Sequence, residues 1–419
     1  MIFQRCLIAL IFGITFTAGL AQDSRQKICL GIDVLQAQNF APITGQRVGL
    51  LTHPAGVNRD GISTLEVLLR ASNVRVVALF GPEHGFYGDE KANQLIQDRV
   101  DARTGLPIYS LYGRHRKPIP SMLKGLDALV IDLQCLGVRS YTYISCMRKA
   151  MEACFENGVK VVVLDRPNPL GGEKVDGPPM ERKWMSYVGA YQVPYVHGLT
   201  IGELALMTKK EVGWLDTSPA IQRAGKLVIV KMQGWKRKML WPETGLTWRP
   251  TSPAIPTLPA ALGYAMTGLG TQLGGFQHGY GTLHPFRLLT FPGKNPWEIV
   301  KALRSKAIPG LEFEVMASSS PKEGQTKGVY VRLKDWNVLR PTELSFYMMQ
   351  LAILWHVKNP FLRASAQEAV LFNKHVGSSE WWDELVRKGK GVKVAPYIQQ
   401  WQQQALAFRQ KSRPYWLYD

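Results

Sequence analysis

The sequence predicts an α/β protein, a Rossmann-like parallel-sheet domain followed by a smaller α/β or α+β C-terminal domain. Three observations predict it. From about residue 28 to 200, short unbroken Val/Ile/Leu runs alternate with longer amphipathic segments, the pattern of a parallel sheet covered on both faces. Residues 180–260 then turn irregular, with many Trp and Pro, as a linker or the wall of a cleft would. Beyond them the strand-like "LEFEVM" and "GVYVRLKDW" and the helix-like "LSFYMMQLAILWHV" form a second unit. A chain of 419 residues, 46% of them apolar, is long enough for two domains.

The first 21 residues, "MIFQRCLIALIFGITFTAGLA", have an early Arg5, an unbroken apolar stretch and small residues at Gly19 and Ala21. That is the layout of a cleavable secretory signal, and it predicts a protein exported to the periplasm or the medium. An uncleaved anchor is the alternative, but the apolar core is short for a span. Residues 22–260 are expected to form the catalytic domain and 261–419 the smaller one. The strand candidates are 47–52, 74–80, 107–112, 128–133 and 159–165, with helices expected at 63–72 and 145–158. The glycine after "CFEN" suits a helix C-cap.

Export leaves Cys29, Cys135, Cys146 and Cys154, which allow three disulfide pairings or none. No CxxC is present, so zinc and a redox dithiol have no support. The net charge is +19, or +18 once Arg5 leaves, and it favours anionic surfaces such as cell-wall polymers. Nucleic acid is not expected as a partner, because the charge is dispersed along an exported chain.

In an open parallel sheet, ligands bind beyond the carboxyl ends of the strands. The first strand is followed by "THPAGVNRDG", with His53, Asn58 and Asp60, and the second by "GPEHG", with Glu83 and His84. The fourth ends in "IDLQCLGVRSYTY", offering Asp132, Gln134, Arg139 and Tyr141. The fifth ends in "LDRPNPLGG", offering Asp165, Arg166 and Asn168, and "YVHGLTIGELA" adds His197 and Glu203. Each has a plainer reading. Asp132 and Asp165 suit loop caps, Glu203 stands three residues after Thr200 as half of a capping box, and the arginines suit loop braces. Glu83 is the exception, since neither packing nor capping requires an acid between those glycines.

No GxGxxG, GxxxxGK[ST] or GxSxG follows a strand, so neither NAD, ATP nor an esterase serine is expected. A metal centre from His53, His84, Asp132 and His197 lacks HExxH-like spacing, and no metal or other cofactor is expected. What remains is a carboxylic acid in a polar cleft. With 12 Trp and 15 Tyr available for stacking, this fits hydrolysis of a polar ligand, as in a glycosidase.

The blocks "GPEHGF", "DLQCLGVRSYTY", "LDRPNPLGG…VDGP", "HGLTIGELA", "FNKHVGSSEWWDEL" and "FRQKSRPYWLYD" resemble the NamZ family of exo-β-N-acetylmuramidases. The resemblance covers essentially the whole chain after the leader. It implies a cleft between the two domains and release of N-acetylmuramic acid from the non-reducing ends of peptidoglycan fragments. It puts the catalytic glutamate in GPEHG, at Glu83; beside it, Asp132 or Asp165, or a water held by His84, is expected as the second catalytic group. Arg139 or Arg166 is the expected partner of the sugar's lactyl carboxylate. Cys135 stands where many members have an acid, and "LGTQLGGFQHGYGT" (269–282) replaces a segment with two glutamates. A related amino sugar as substrate, or a cell-wall binding protein without turnover, are the alternatives.

Overall fold

The computed structural model describes residues 28–90, 95–320 and 324–419, so the leader expected at 1–21 lies outside the described residues. The first lobe carries strands β1 (Arg47–Thr52), β2 (Arg75–Gly81), β3 (Arg99–Val100), β4 (Pro107–Ser110), β5 (Ala128–Asp132) and β6 (Lys160–Leu164). A short hairpin of β7 (Asp176–Pro179) and β8 (Pro194–Val196) follows, then β9 (Leu227–Val230). Apart from the hairpin, these strands form one seven-stranded sheet in the order β3-β4-β2-β1-β5-β6-β9, parallel at every pairing except β3 with β4. Each of the five expected strands is present. The short edge strands β3 and β9 were not expected. The pattern shows why, since β9 has four residues, three of them only partly buried.

The unbroken apolar runs arise because both faces of the sheet are covered. Alternate residues of one strand enter different cores: Leu129 and Ile131 pack with helices on one face, Ala128 and Val130 on the other. The second face is covered by α1 (Gly31–Ala37) and α2 (Thr64–Leu69). The first is covered by α3 (Tyr143–Glu156) and α4 (Ile201–Lys210). Helix α3 ends at Asn157, and Gly158 follows with φ +70°, the left-handed residue that a helix C-terminus favours.

The second lobe is α+β. Helix α5 (Leu258–Thr267) leads into a three-stranded antiparallel sheet of β10 (Leu288–Leu289), β11 (Leu311–Ser320) and β12 (Gly324–Leu333), ordered β10-β12-β11. Helices α6 (Pro296–Arg304), α7 (Glu343–Trp355), α8 (Ala366–Val376), α9 (Ser379–Lys388) and α10 (Ala395–Ser412) complete it. The apolar core on the α3 face continues from Ile131 and Met147 into Ala261, Phe346 and Trp401, so the lobes share it. Among the described residues no helix is long and apolar enough to cross a membrane.

The strand order places the site. After β1 the chain adds β2 and β4 on one side, then returns to lay β5 and β6 on the other. The loops that leave β1, β2 and β5 therefore diverge at the middle of the carboxyl edge, where an open α/β sheet leaves a crevice.

Candidate active site

Glu83 sits at this crevice because of how "GPEHG" turns. A Cβ on Gly81 would lie 2.5 Å from the backbone nitrogen of Phe86, so only glycine lets the chain fold back there. Gly85 N donates to Pro82 O at 3.0 Å, closing a turn with Glu83 and His84 in its middle. His84 takes φ +72°, a left-handed conformation unusual outside glycine. It is held by burial and by Nδ1, which donates to Glu90 O at 3.0 Å. Strain of this kind costs on the order of 1–3 kcal/mol and persists where surrounding structure enforces it, commonly at functional sites.

The Glu83 carboxylate is partly exposed and is held by neutral donors. Thr142 Oγ1, at the start of α3, donates to Oε2 at 2.6 Å. The Tyr112 hydroxyl also bonds the carboxylate. Burial, then the nearby Glu83 charge, pushes the Tyr112 phenol up to about 12, so it stays a donor at neutral pH. Tyr143 donates to Thr251 O at 2.6 Å and also reaches Glu83 O at 3.4 Å. Its ring meets Tyr141 at 4.7 Å and His53 at 4.8 Å between centroids. Tyr264 of α5 packs edge-on against Tyr141 at 6.2 Å, bringing the second lobe to the site. Thr251 comes from the irregular 180–260 stretch, which here forms a wall.

His53, after β1, is buried, and burial pushes its imidazole down to about 3. It is therefore neutral, and its Nε2 accepts from Gln134 N at 3.0 Å. Gln134 Nε2 is in turn committed to the carbonyls of Cys135 and Pro167. These residues shape the crevice floor.

Several expected site residues are taken up by the architecture. Asp132 was expected to act beside Glu83, but it is fully buried and clasped by Arg166 through contacts of 2.5 and 2.8 Å and by Thr64 Oγ1. The same pairing removes Arg166 as a partner for a substrate carboxylate. Arg139 is removed too. Its guanidinium is buried and donates to the carbonyls of Pro178, Val193, His375 and Val376, joining the β7–β8 hairpin to the C-terminal end of α8. Asp165 accepts from Arg166 N, Gly202 N, Thr200 Oγ1 and the Tyr418 hydroxyl, and burial pushes its carboxyl up to about 6. Gly202 is required there, since a Cβ would lie 2.6 Å from the Asp165 carboxyl carbon.

Glu203 forms a capping box with Thr200 and an ion pair with buried Arg237. Asn168 ties its own loop to Leu199 O, and His197 Nδ1 accepts from Leu199 N. Of Glu83, Asp132, Asp165 and Glu203, only Glu83 reaches solvent. Among the described residues it also has no ion-pair partner, and no group of three or more His, Cys, Asp or Glu is arranged to hold a metal.

Sequence reasoning missed Thr142, Tyr112, Tyr143 and Tyr264. Thr142 and Tyr143 lay inside a motif already singled out, beside Tyr141. Tyr112 and Tyr264 carried no local signal, since they reach Glu83 only through the fold. Leu269, the first residue of the 269–282 segment, is core, 1% exposed.

A partly exposed acid held by neutral hydroxyls at the switch point of a covered parallel sheet, beside a second lobe, suits a two-lobed α/β hydrolase of the glycosidase kind. The family model described as exo-β-N-acetylmuramidase NamZ, N-terminal, matches residues 48–259, and its C-terminal counterpart matches 262–418. The chain belongs to the NamZ family of exo-β-N-acetylmuramidases. It is 40% identical over 327 residues, 76% of either chain, to the peptidoglycan β-N-acetylmuramidase NamZ of Bacillus subtilis (strain 168). Two crystal structures of DUF1343-family proteins from Bacteroides fragilis superpose on it. One has a TM-score of 0.84 at 40% identity and the other 0.72 at 27%, each covering 94% of this chain and 99% of its own.

Proposed function

We propose that this enzyme releases N-acetylmuramic acid from the non-reducing ends of peptidoglycan fragments, with Glu83 as the general acid/base. The observation that carries the reading is the partly exposed Glu83 carboxyl, held by the hydroxyls of Thr142 and Tyr112 at the carboxyl edge of the sheet. The name of the Bacillus subtilis relative supports the substrate class.

Hydrolysis of a glycoside requires a proton on the leaving oxygen as positive charge develops on the sugar ring. Thr142 and Tyr112 restrict the orientation of the carboxyl, so it meets the substrate already positioned. Tyr264, the partly exposed member of the tyrosine cluster, offers an apolar ring to a sugar, with Tyr141 and Tyr143 packed behind it. Such a substrate is met outside the cytoplasm, which agrees with export through the leader-like residues 1–21.

The test is hydrolysis of a chromogenic β-N-acetylmuramide, with the N-acetylglucosaminide and Glu83→Gln alongside. The expected result is release from the muramide, reduced about 10²- to 10⁴-fold in Glu83→Gln. Retention of full activity in Glu83→Gln would assign the acid elsewhere, and binding of the sugar without turnover would make the protein a cell-wall binder.

A further inference from the structure

The carboxylate of the lactyl ether is the one formal charge that separates an N-acetylmuramide from an N-acetylglucosaminide. A site that selects the first needs a cation near Glu83 that is not already committed. Arg139 and Arg166 are committed, as shown above. On and near α3, Arg148 and Lys149 both pair with Glu152, and Lys117 pairs with Glu156.

Arg116 and Arg182, which line one groove, are not paired in this way, and of the two Arg116 is the one that packs on Tyr112. It is exposed, and among the described residues no carboxylate pairs with it. Its guanidinium carbon lies 4.8 Å from the centroid of the Tyr112 ring and 4.6 Å from that of Tyr187, and the two rings are 5.8 Å apart. The rings are inclined at 51°, so the cation rests against both phenol rings on adjacent sides, within cation–π distance of each. The Tyr112 hydroxyl is bonded to Glu83, so this cation stands one tyrosine ring from the acid. Arg116 and Tyr187 also line an open groove of about 1020 Å³ that runs along Ser145, Arg148 and Lys149 of α3.

We infer that Arg116, resting against Tyr112 and Tyr187, binds the lactyl carboxylate of the substrate and sets the preference for muramic over glucosaminic sugars. The assignment rests on the reading given under Proposed function. The chemistry suits it, because an arginine fork takes a carboxylate through two parallel N–H bonds, and contact with the two tyrosines restricts the side chain before substrate arrives. The lactyl ether is carried on C3 of the sugar, two ring carbons from the anomeric centre that Glu83 serves. A short separation between acid and cation is therefore what the substrate requires.

The experiment compares the wild-type protein, Arg116→Gln and Arg116→Lys on a chromogenic β-N-acetylmuramide and on its lactyl methyl ester, which has the same shape without the charge. In Arg116→Gln, KM for the acid is expected to rise about 10- to 100-fold, the range of a charge-assisted hydrogen bond, with kcat little changed. The ester is expected to be handled alike by all three proteins, and Arg116→Lys is expected to recover part of the loss. Equal losses on acid and ester, or no loss on either, would overturn the assignment. If the wild-type protein turns over neither compound, the muramidase reading fails separately. Calorimetry with free N-acetylmuramic acid and its methyl ester then decides for Arg116. Binding of the acid lost in Arg116→Gln supports the assignment; binding unchanged in the variant, or absent from the wild-type protein, overturns it.

Discussion

Thr142 Oγ1 donates a 2.6 Å hydrogen bond to Glu83 Oε2, linking the loop after β2 to the first residue before α3. Thr142 occupies the N-cap position of that helix, yet its side chain makes no capping bond to the helix backbone. A residue type suited to capping is thus used to hold the acid.

Substitution of Thr142 by Val should therefore affect catalysis more than folding. Losing one hydrogen bond to a charged group corresponds to about 1.5–3 kcal/mol, or roughly a 10- to 100-fold fall in turnover. The melting temperature should change by only a few degrees, because no helix cap is lost. Turnover on the chromogenic muramide and a thermal melt, measured on one preparation, check both halves.

The Asp132–Arg166 pair predicts the opposite balance. Both side chains are nearly inaccessible, at 0% and 4% exposure, so removing one partner leaves an uncompensated buried charge. Arg166→Met or Asp132→Ala should lower stability by about 3–5 kcal/mol. Urea unfolding of each variant reads this directly. A fully stable Asp132→Ala protein with no turnover would return Asp132 to the catalytic group.

Buried histidines predict acid sensitivity. Burial holds His53 and His197 down to about 3, while the unfolded chain protonates them near 6.5. Between those values the unfolded state binds more protons, so their contribution is complete above pH 6.5 and is lost as pH falls towards 3. Asp165 works the other way, because its raised carboxyl takes up a proton in the folded state below about 6. His197→Asn keeps an acceptor for Leu199 N and cannot ionise. Its unfolding free energy should fall less steeply than that of the wild-type protein between pH 6 and 4, by up to about 1.4 kcal/mol per pH unit. Asp165 is present in both proteins and drops out of the comparison.

The cysteines predict selective labelling. All four described cysteines are free, and Cys135, Cys146 and Cys154 are buried, which pushes their thiols up. Only Cys29 is partly exposed. Of these four, iodoacetamide on the native protein should modify Cys29 alone, with the other three reacting after denaturation, as mass spectrometry would show.

Much of this was legible in the residues. Continuous runs such as "ALVIDL" determine a strand buried on both faces, because no alternating pattern could cover two cores at once. "GPEHG" determines a sharp turn carrying an acid, because Gly81 allows the close approach and nothing local requires Glu83. The Thr200–Glu203 capping box is likewise local, three residues apart, and it was readable as such.

Only the tertiary structure decided which charged groups at the carboxyl edge are free. Asp132 and Arg166 are 34 residues apart, and Arg139 and Val376 are 237 apart. A sequence shows that an arginine and an aspartate are present, but their partners depend on which strand ends and helix ends the fold brings together. The unbroken apolar runs and the turn around Glu83 arise from short-range forces and were visible in the chain. The pairing that occupies Arg139 and Arg166, and leaves Glu83 and Arg116 open, is long-range and came only with the fold.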